Sequence, residues 1–125
     1  MGCGLACVAF LVGRSYREVH ENADNPQNAR SKGYLCSHLV KELQKYGVSY
    51  SWKKVSPTPD KPNEISPGSI LFIKRSTRYP DGHFVVMTDQ GTYMNPWINL
   101  PYENDVQAGF QFELEGVIEY VISPA

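Results

Sequence analysis

The sequence predicts an α+β fold, with N-terminal helices packed on a C-terminal antiparallel β-sheet. Two observations carry this. Helical spacing and helix caps occupy the chain up to Gly47, while runs dense in β-branched and aromatic residues, separated by tight turns, fill the second half. A third observation is size: 125 residues, 42% of them hydrophobic, are enough for one core, so residues 1–125 read as a single domain.

The run Gly4-Leu-Ala-Cys-Val-Ala-Phe-Leu-Val12 is apolar on every side and predicts a short helix buried all round, stopped by Gly13. Ser15-Tyr-Arg-Glu18 is a capping box, placing a second helix from Tyr16 to about Asn22. Asp24-Asn25-Pro26 closes it, and Gln27 to Gly33 reads as an exposed loop. Leu35, Leu39, Val40 and Leu43 recur at helical spacing opposite Lys41, Glu42, Gln44 and Lys45; Ser37 is the expected cap and Gly47 the stop.

Val48-Ser-Tyr-Ser-Trp52 alternates as a strand does. Four prolines between Ser56 and Pro67 then predict an ordered crossing loop. Ser69–Ile73 and His83–Met87 are strands entered through turn chemistry, Pro67-Gly68 and Pro80-Asp81-Gly82. Asp89-Gln90-Gly91 reverses the chain into Thr92-Tyr93-Met94, giving a hairpin. Phe110 to Ile122 supplies one or two closing strands after a further loop.

Composition excludes several function classes. Twelve Lys and Arg against 13 Asp and Glu give a net charge of −1, which removes the electrostatic case for nucleic acid. No apolar run approaches the roughly 20 residues of a membrane span, and no signal peptide is recognisable. Met1-Gly2-Cys3 fits N-myristoylation poorly, because Ala6 stands where Ser or Thr is wanted. Three cysteines are too few and odd in number for a disulfide framework, and their spacing does not suit zinc. The expectation is a cytoplasmic monomer with free thiols, no metal and no cofactor.

Three residues stand where chemistry is commonly built. Cys3 opens the first helix, where free backbone N–H groups and the positive end of the macrodipole favour thiolate and lower its pKa. Gly4 beside it would admit the backbone of a peptide substrate. Cys7, one turn on, reads as a buried thiol, and Cys36 as a packing or capping residue. His83 opens a strand directly after Gly82. Asn95, fixed as extended by Pro96, ends the next strand, with Trp97 positioned to cover an Asn95–His83 contact. His20 and His38 read as solvated helix positions. Cys, His and Asn in this order form a Cys-His-Asn version of the triad logic, in which the imidazole takes the thiol proton and the amide holds the ring.

Gly2-Cys3-Gly4-Leu5-Ala6-Cys7 resembles the C-G-x-A-C start of the C39-like, bacteriocin-processing branch of papain-fold cysteine peptidases. Gly82-His83-Phe84-Val85-Val86-Met87 is similar to that family's G-H-F-V-V-L strand, and Asn95-Pro96 to its D/N-P step. Tyr34 to Tyr46 resembles its amphipathic helix, and Ser66-Pro-Gly-Ser-Ile70 its strand leading toward the His. The resemblance implies a bacterial, papain-like thiol hydrolase. Its nucleophile would be Cys3, its base His83, and its orienting residue Asn95 in place of the commoner Asp; Gly4, Gly82 and Trp97 would border the substrate. In the related papain pattern the second cysteine of the run is the nucleophile, which makes Cys7 the alternative.

The family places a Gln about six residues ahead of the nucleophile to bind the oxyanion, a donor worth roughly 2.7–4 kcal/mol. Only Met1 and Gly2 precede Cys3 here. Three expectations follow: a longer natural chain, an amide such as Gln27 supplied from a loop, or activity that is weak or absent. The competing functions are therefore a non-catalytic peptide-binding domain and a deamidase or acyltransferase with the same thiol step.

Overall fold

The computed structural model describes residues 3–24, 26, 34–55, 65–89, 91–98, 108–114 and 116–125. Met1, Gly2, Gln27 and Gln90, with most of the predicted proline-rich crossing loop and the loop before Phe110, lie outside the described residues. Among the described residues three helices precede six strands: α1 Cys3–Val12, α2 Tyr16–Asn22, α3 Cys36–Gln44, β1 Tyr50–Lys54, β2 Ile70–Ile73, β3 His83–Met87, β4 Tyr93–Asn95, β5 Gly109–Gln111 and β6 Ile118–Pro124. The strands form one sheet in the order β1-β6-β2-β3-β4-β5, with every neighbouring pair antiparallel. The chain is therefore α+β, as its sequence predicts.

Local chemistry sets the helix ends. Gly13 and Gly47 adopt left-handed backbone (φ 69° and 79°) where α1 and α3 stop, a conformation that favours glycine. The Ser15 hydroxyl accepts from the Glu18 N–H at 3.1 Å, one half of the predicted capping box. The Glu18 carboxylate turns instead to Arg14, at 3.2 Å. At α3 the expected cap moves: Leu35 is the N-cap residue, Ser37 lies within the first turn, and His38 Nδ1 accepts the Leu35 N–H at 3.3 Å. Helix α2 is tied to α3 by Lys45, whose ammonium donates to Asn22 O (2.8 Å) and Asp24 Oδ1 (2.9 Å) and pairs with the buried Glu42 carboxylate (3.1 Å).

Both faces of β3 are covered, which explains why it is apolar without alternation. Ile70, Phe84, Val86, Met94 and Ile122 meet Leu5, Val8, Leu39 and Leu43 of the helices. On the opposite face Leu71, Ile73, Val85, Met87 and Val121 gather around Tyr79. Two expectations need correction. Helix α1 is not buried all round: Phe10 is 43% exposed and meets Phe110 edge-on, at 6.0 Å between ring centroids. The strand expected at Val48–Trp52 runs from Tyr50 to Lys54 on the sheet edge, where only Tyr50 is buried, because β6 inserts between β1 and β2. Among the described residues no helix is long and apolar enough to cross a membrane.

Candidate active site

Helix α1 packs its N-terminal turn against the start of β3. At Gly4 an added Cβ would lie 3.1 Å from both Leu39 methyls and 3.4 Å from the Phe84 ring. The space expected to admit a substrate backbone beside Gly4 is thus taken by these two side chains. This close approach brings Cys3 to the first residues of β3.

The hydrogen-bond parity of β3 then matters. Met87 N–H donates to Ser69 O on the β2 side, and Thr88 N–H to Thr92 O on the β4 side. Even-numbered N–H groups of this strand therefore face β4. The β3–β4 ladder ends at the Val86–Met94 pair, and β4 itself stops at Asn95 before Pro96. The Phe84 N–H lies beyond the ladder, and it faces the Cys3 sulfur, together with the N–H groups of Cys3 and Gly4. The end of the β3–β4 ladder thus leaves this N–H near the thiol, where it favours thiolate.

His83 and Asn95 meet beside the Tyr79 ring, and among the described residues no hydrogen bond joins the His83 imidazole to Cys3. His83 Nε2 and Asn95 Oδ1 are 2.6 Å apart, and both residues are buried, at 2% and 1% exposure. The polarity of this contact follows from neighbours whose roles are fixed. Trp97 N–H, which can only donate, lies 2.9 Å from Asn95 Oδ1. Asn95 Nδ2 donates to Gln111 Oε1 at 2.9 Å, and Gln111 Nε2 donates to Glu113 O at 2.7 Å. Asn95 Oδ1 is therefore an acceptor, His83 Nε2 carries the proton, and the lone pair of the neutral imidazole is on Nδ1.

Cover for the imidazole comes from Tyr79, a residue that the sequence did not single out. Its ring is stacked on His83 with centroids 4.6 Å apart and planes 10° apart. Trp97 contributes through its backbone, whose N–H donates to Asn95 Oδ1. Gly82, expected to border substrate, is buried at φ 80°, where a Cβ would collide with the Phe72 ring and come to 3.0 Å from Ile73 O. It sets the entry of His83 into β3 by tight packing.

Burial dominates the electrostatics. Desolvation pushes the Cys3 thiol above its ordinary value of 9.0, against the lowering effect of the Phe84, Gly4 and Cys3 N–H groups. The expected depression at the helix start is reversed, because the free N–H groups do not offset the loss of water. Desolvation likewise lowers His83 below 6.5; the Asn95 hydrogen bond opposes this and the Arg78 charge adds to it. Both shifts favour the neutral forms, the thiol of Cys3 and the imidazole of His83.

No family model, curated protein or solved structure matches the chain.

The other cysteines are free and their thiols are raised by desolvation, Cys7 well above 9.0 and Cys36 to about 11. Cys7 is fully buried in the core between helices and sheet, as a packing residue is. His20 and His38 are half-buried and bonded rather than solvated: His20 Nε2 lies 3.1 Å from Pro26 O, and His38 Nδ1 serves the α3 cap. Among the described residues no group of three His, Cys, Asp or Glu side chains could hold a metal ion. A cavity of about 190 Å³ opens between the start of α3 and the sheet, lined by the rings of Tyr34, Trp52, Phe72, Phe84 and Tyr120. The ring of Phe84 thus borders the cavity, while its backbone N–H faces Cys3.

Proposed function

We propose that the chain is a cysteine peptidase of the papain-like, C39-like type, hydrolysing peptide or related amide bonds through Cys3, His83 and Asn95. The observation that carries this reading is the polarised His83–Asn95 contact, which leaves Nδ1 as a base beside the strand residue whose N–H faces the Cys3 sulfur.

In the acylation step His83 Nδ1 takes the Cys3 proton as Sγ attacks the substrate carbonyl carbon. The negative charge that develops on the carbonyl oxygen falls to backbone N–H groups at the start of α1. The imidazolium, stabilised by Asn95 Oδ1, protonates the departing amine, and a thioester remains on Cys3. Water, deprotonated by His83, then attacks the thioester, releasing a carboxylic acid and restoring the thiol. Trp97 and the glycines act behind the reacting groups, by holding Asn95 and by allowing α1 and β3 to pack closely. A monomer in a reducing, cytoplasmic setting fits three free thiols.

Incubation with fluorogenic peptides tests the reading: hydrolysis should occur in the wild type and fall to background in Cys3→Ala and His83→Ala. Release of ammonia from a glutamine-bearing peptide without chain cleavage would instead identify a deamidase. One observation favours a second reading, a non-catalytic peptide-binding domain: burial holds the Cys3 thiol protonated. Peptide binding that survives Cys3→Ser, with no turnover in the wild type, would support that alternative.

A further inference from the structure

We infer that Gln111 is a positioning residue for the His83–Asn95 pair: it holds the Asn95 carboxamide with its oxygen toward the imidazole and so fixes which ring nitrogen is free. The effect on the ring stands on geometry; its use in catalysis rests on the hydrolase reading above.

A carboxylate and a carboxamide differ in what a side-chain rotation changes. Rotating an Asp side chain by half a turn exchanges two acceptors, whereas rotating Asn exchanges an acceptor for a donor. An Asn at this position therefore orients a histidine only when its own rotation is fixed. Two backbone groups without a choice of role bracket the chain of side chains here. Glu113 O accepts from Gln111 Nε2 at 2.7 Å, which turns Gln111 Oε1 toward Asn95 Nδ2, at 2.9 Å. Trp97 N–H donates to Asn95 Oδ1 at 2.9 Å from the other end. A half-turn of Asn95 would set its NH2 against the Trp97 N–H and its oxygen against Gln111 Oε1, losing both bonds.

The strand register explains why Gln111 can reach. Asn95 pairs with Gly109 and Tyr93 with Gln111, so Gln111 lies two residues along β5 from the position opposite Asn95, on the same face of the sheet. Gln111 is half-buried, so water competes for its amide only in part.

The test reads the His83 ring in the free protein, by NMR of its Nε2-bound proton. In Gln111→Met, which keeps the bulk and removes the acceptor, exchange of that proton with water should quicken about fivefold, the scale of one net hydrogen bond. Gln111→Glu keeps an acceptor for Asn95 Nδ2 but loses the donor to Glu113 O, so it should quicken exchange less than Gln111→Met does. In an Asn95→Asp background, where either oxygen accepts, Gln111→Met should have no effect. Unchanged exchange in Gln111→Met, or equal quickening in the Asn95→Asp background, overturns the inference. Gln111→Ala provides the same comparison should the Met variant fail to fold. Because no substrate is present, an inactive protein leaves this result standing, and an active protein with an unmoved ring proton removes Gln111 alone.

Discussion

Tyr79 and His83 lie face to face, 4.6 Å between centroids, with Tyr79 only 2% exposed. One side of the imidazole is thereby closed to water by an aromatic ring held in the second core of the sheet. The Arg78 guanidinium lies over the other residue of this stack, 5.7 Å from the Tyr79 ring centroid, and its charge disfavours imidazolium. Solvent exclusion and a nearby cation both hold His83 neutral.

This sets the pH dependence of the proposed reaction. His83 must be neutral to accept the thiol proton, and its folded-state value lies below 6.5. The acidic limb of kcat/KM is expected below pH 6.5. Arg78→Gln removes a like charge and should move that limb upward, toward 6.5. A pH–rate profile of both proteins checks the direction.

Stability carries the same signature. A histidine whose folded value is lowered binds its proton more weakly than in the unfolded chain, so between the two values the unfolded state holds more protons. The His83 contribution is fully present above pH 6.5 and is lost as pH falls, with a limiting slope of about 1.4 kcal/mol per pH unit. The stability difference between wild type and His83→Gln should therefore shrink between pH 7.5 and pH 5. Urea titrations at the two ends measure it.

Asn95→Ala removes the acceptor on which the imidazolium rests. A hydrogen bond to a charged group contributes about 1.5–3 kcal/mol, so kcat/KM should fall roughly 10- to 150-fold. Asn95→Asp keeps an acceptor and should retain more activity than Asn95→Ala; equal losses would remove Asn95 from the mechanism.

Two glycines at the site should behave differently. Gly82→Ala combines a left-handed backbone with a collision against Phe72 and the Ile73 carbonyl, and should cost about 2 kcal/mol or more. Gly4→Ala meets side-chain atoms alone, the methyls of the buried Leu39 at 3.1 Å and the Phe84 ring at 3.4 Å. Its crowding is set against a gain of up to ~1 kcal/mol in helix propensity, so the net change should be small. Thermal denaturation of the two variants should separate them clearly.

Much of the fold is legible in the sequence because local signals agree with tertiary demands. Ser15 and Gly13 delimit helices where the sequence puts them, and Gly82-His83 opens a strand that is buried on both faces. The order Cys3, His83, Asn95 names three residues, of which two are in direct contact and the third faces the intervening strand. What stays hidden depends on contacts between distant segments. Tyr79 sits in a turn whose sequence says nothing of the ring beneath it. Gln111 becomes the partner of Asn95 only through the β4–β5 register, which no periodicity specifies. The Cys3 thiol departs from expectation because a helix start is visible in sequence and the burial of that start is not.

The central claim is that Cys3 becomes acylated with help from His83 and Asn95. Acid quenching during turnover of a peptide ester, followed by digestion and mass spectrometry, tests it most directly. A thioester adduct is expected on Cys3, abolished in Cys3→Ser and strongly diminished in His83→Ala. Turnover without any adduct on Cys3, or an adduct carried by Cys7 or Cys36, would contradict it.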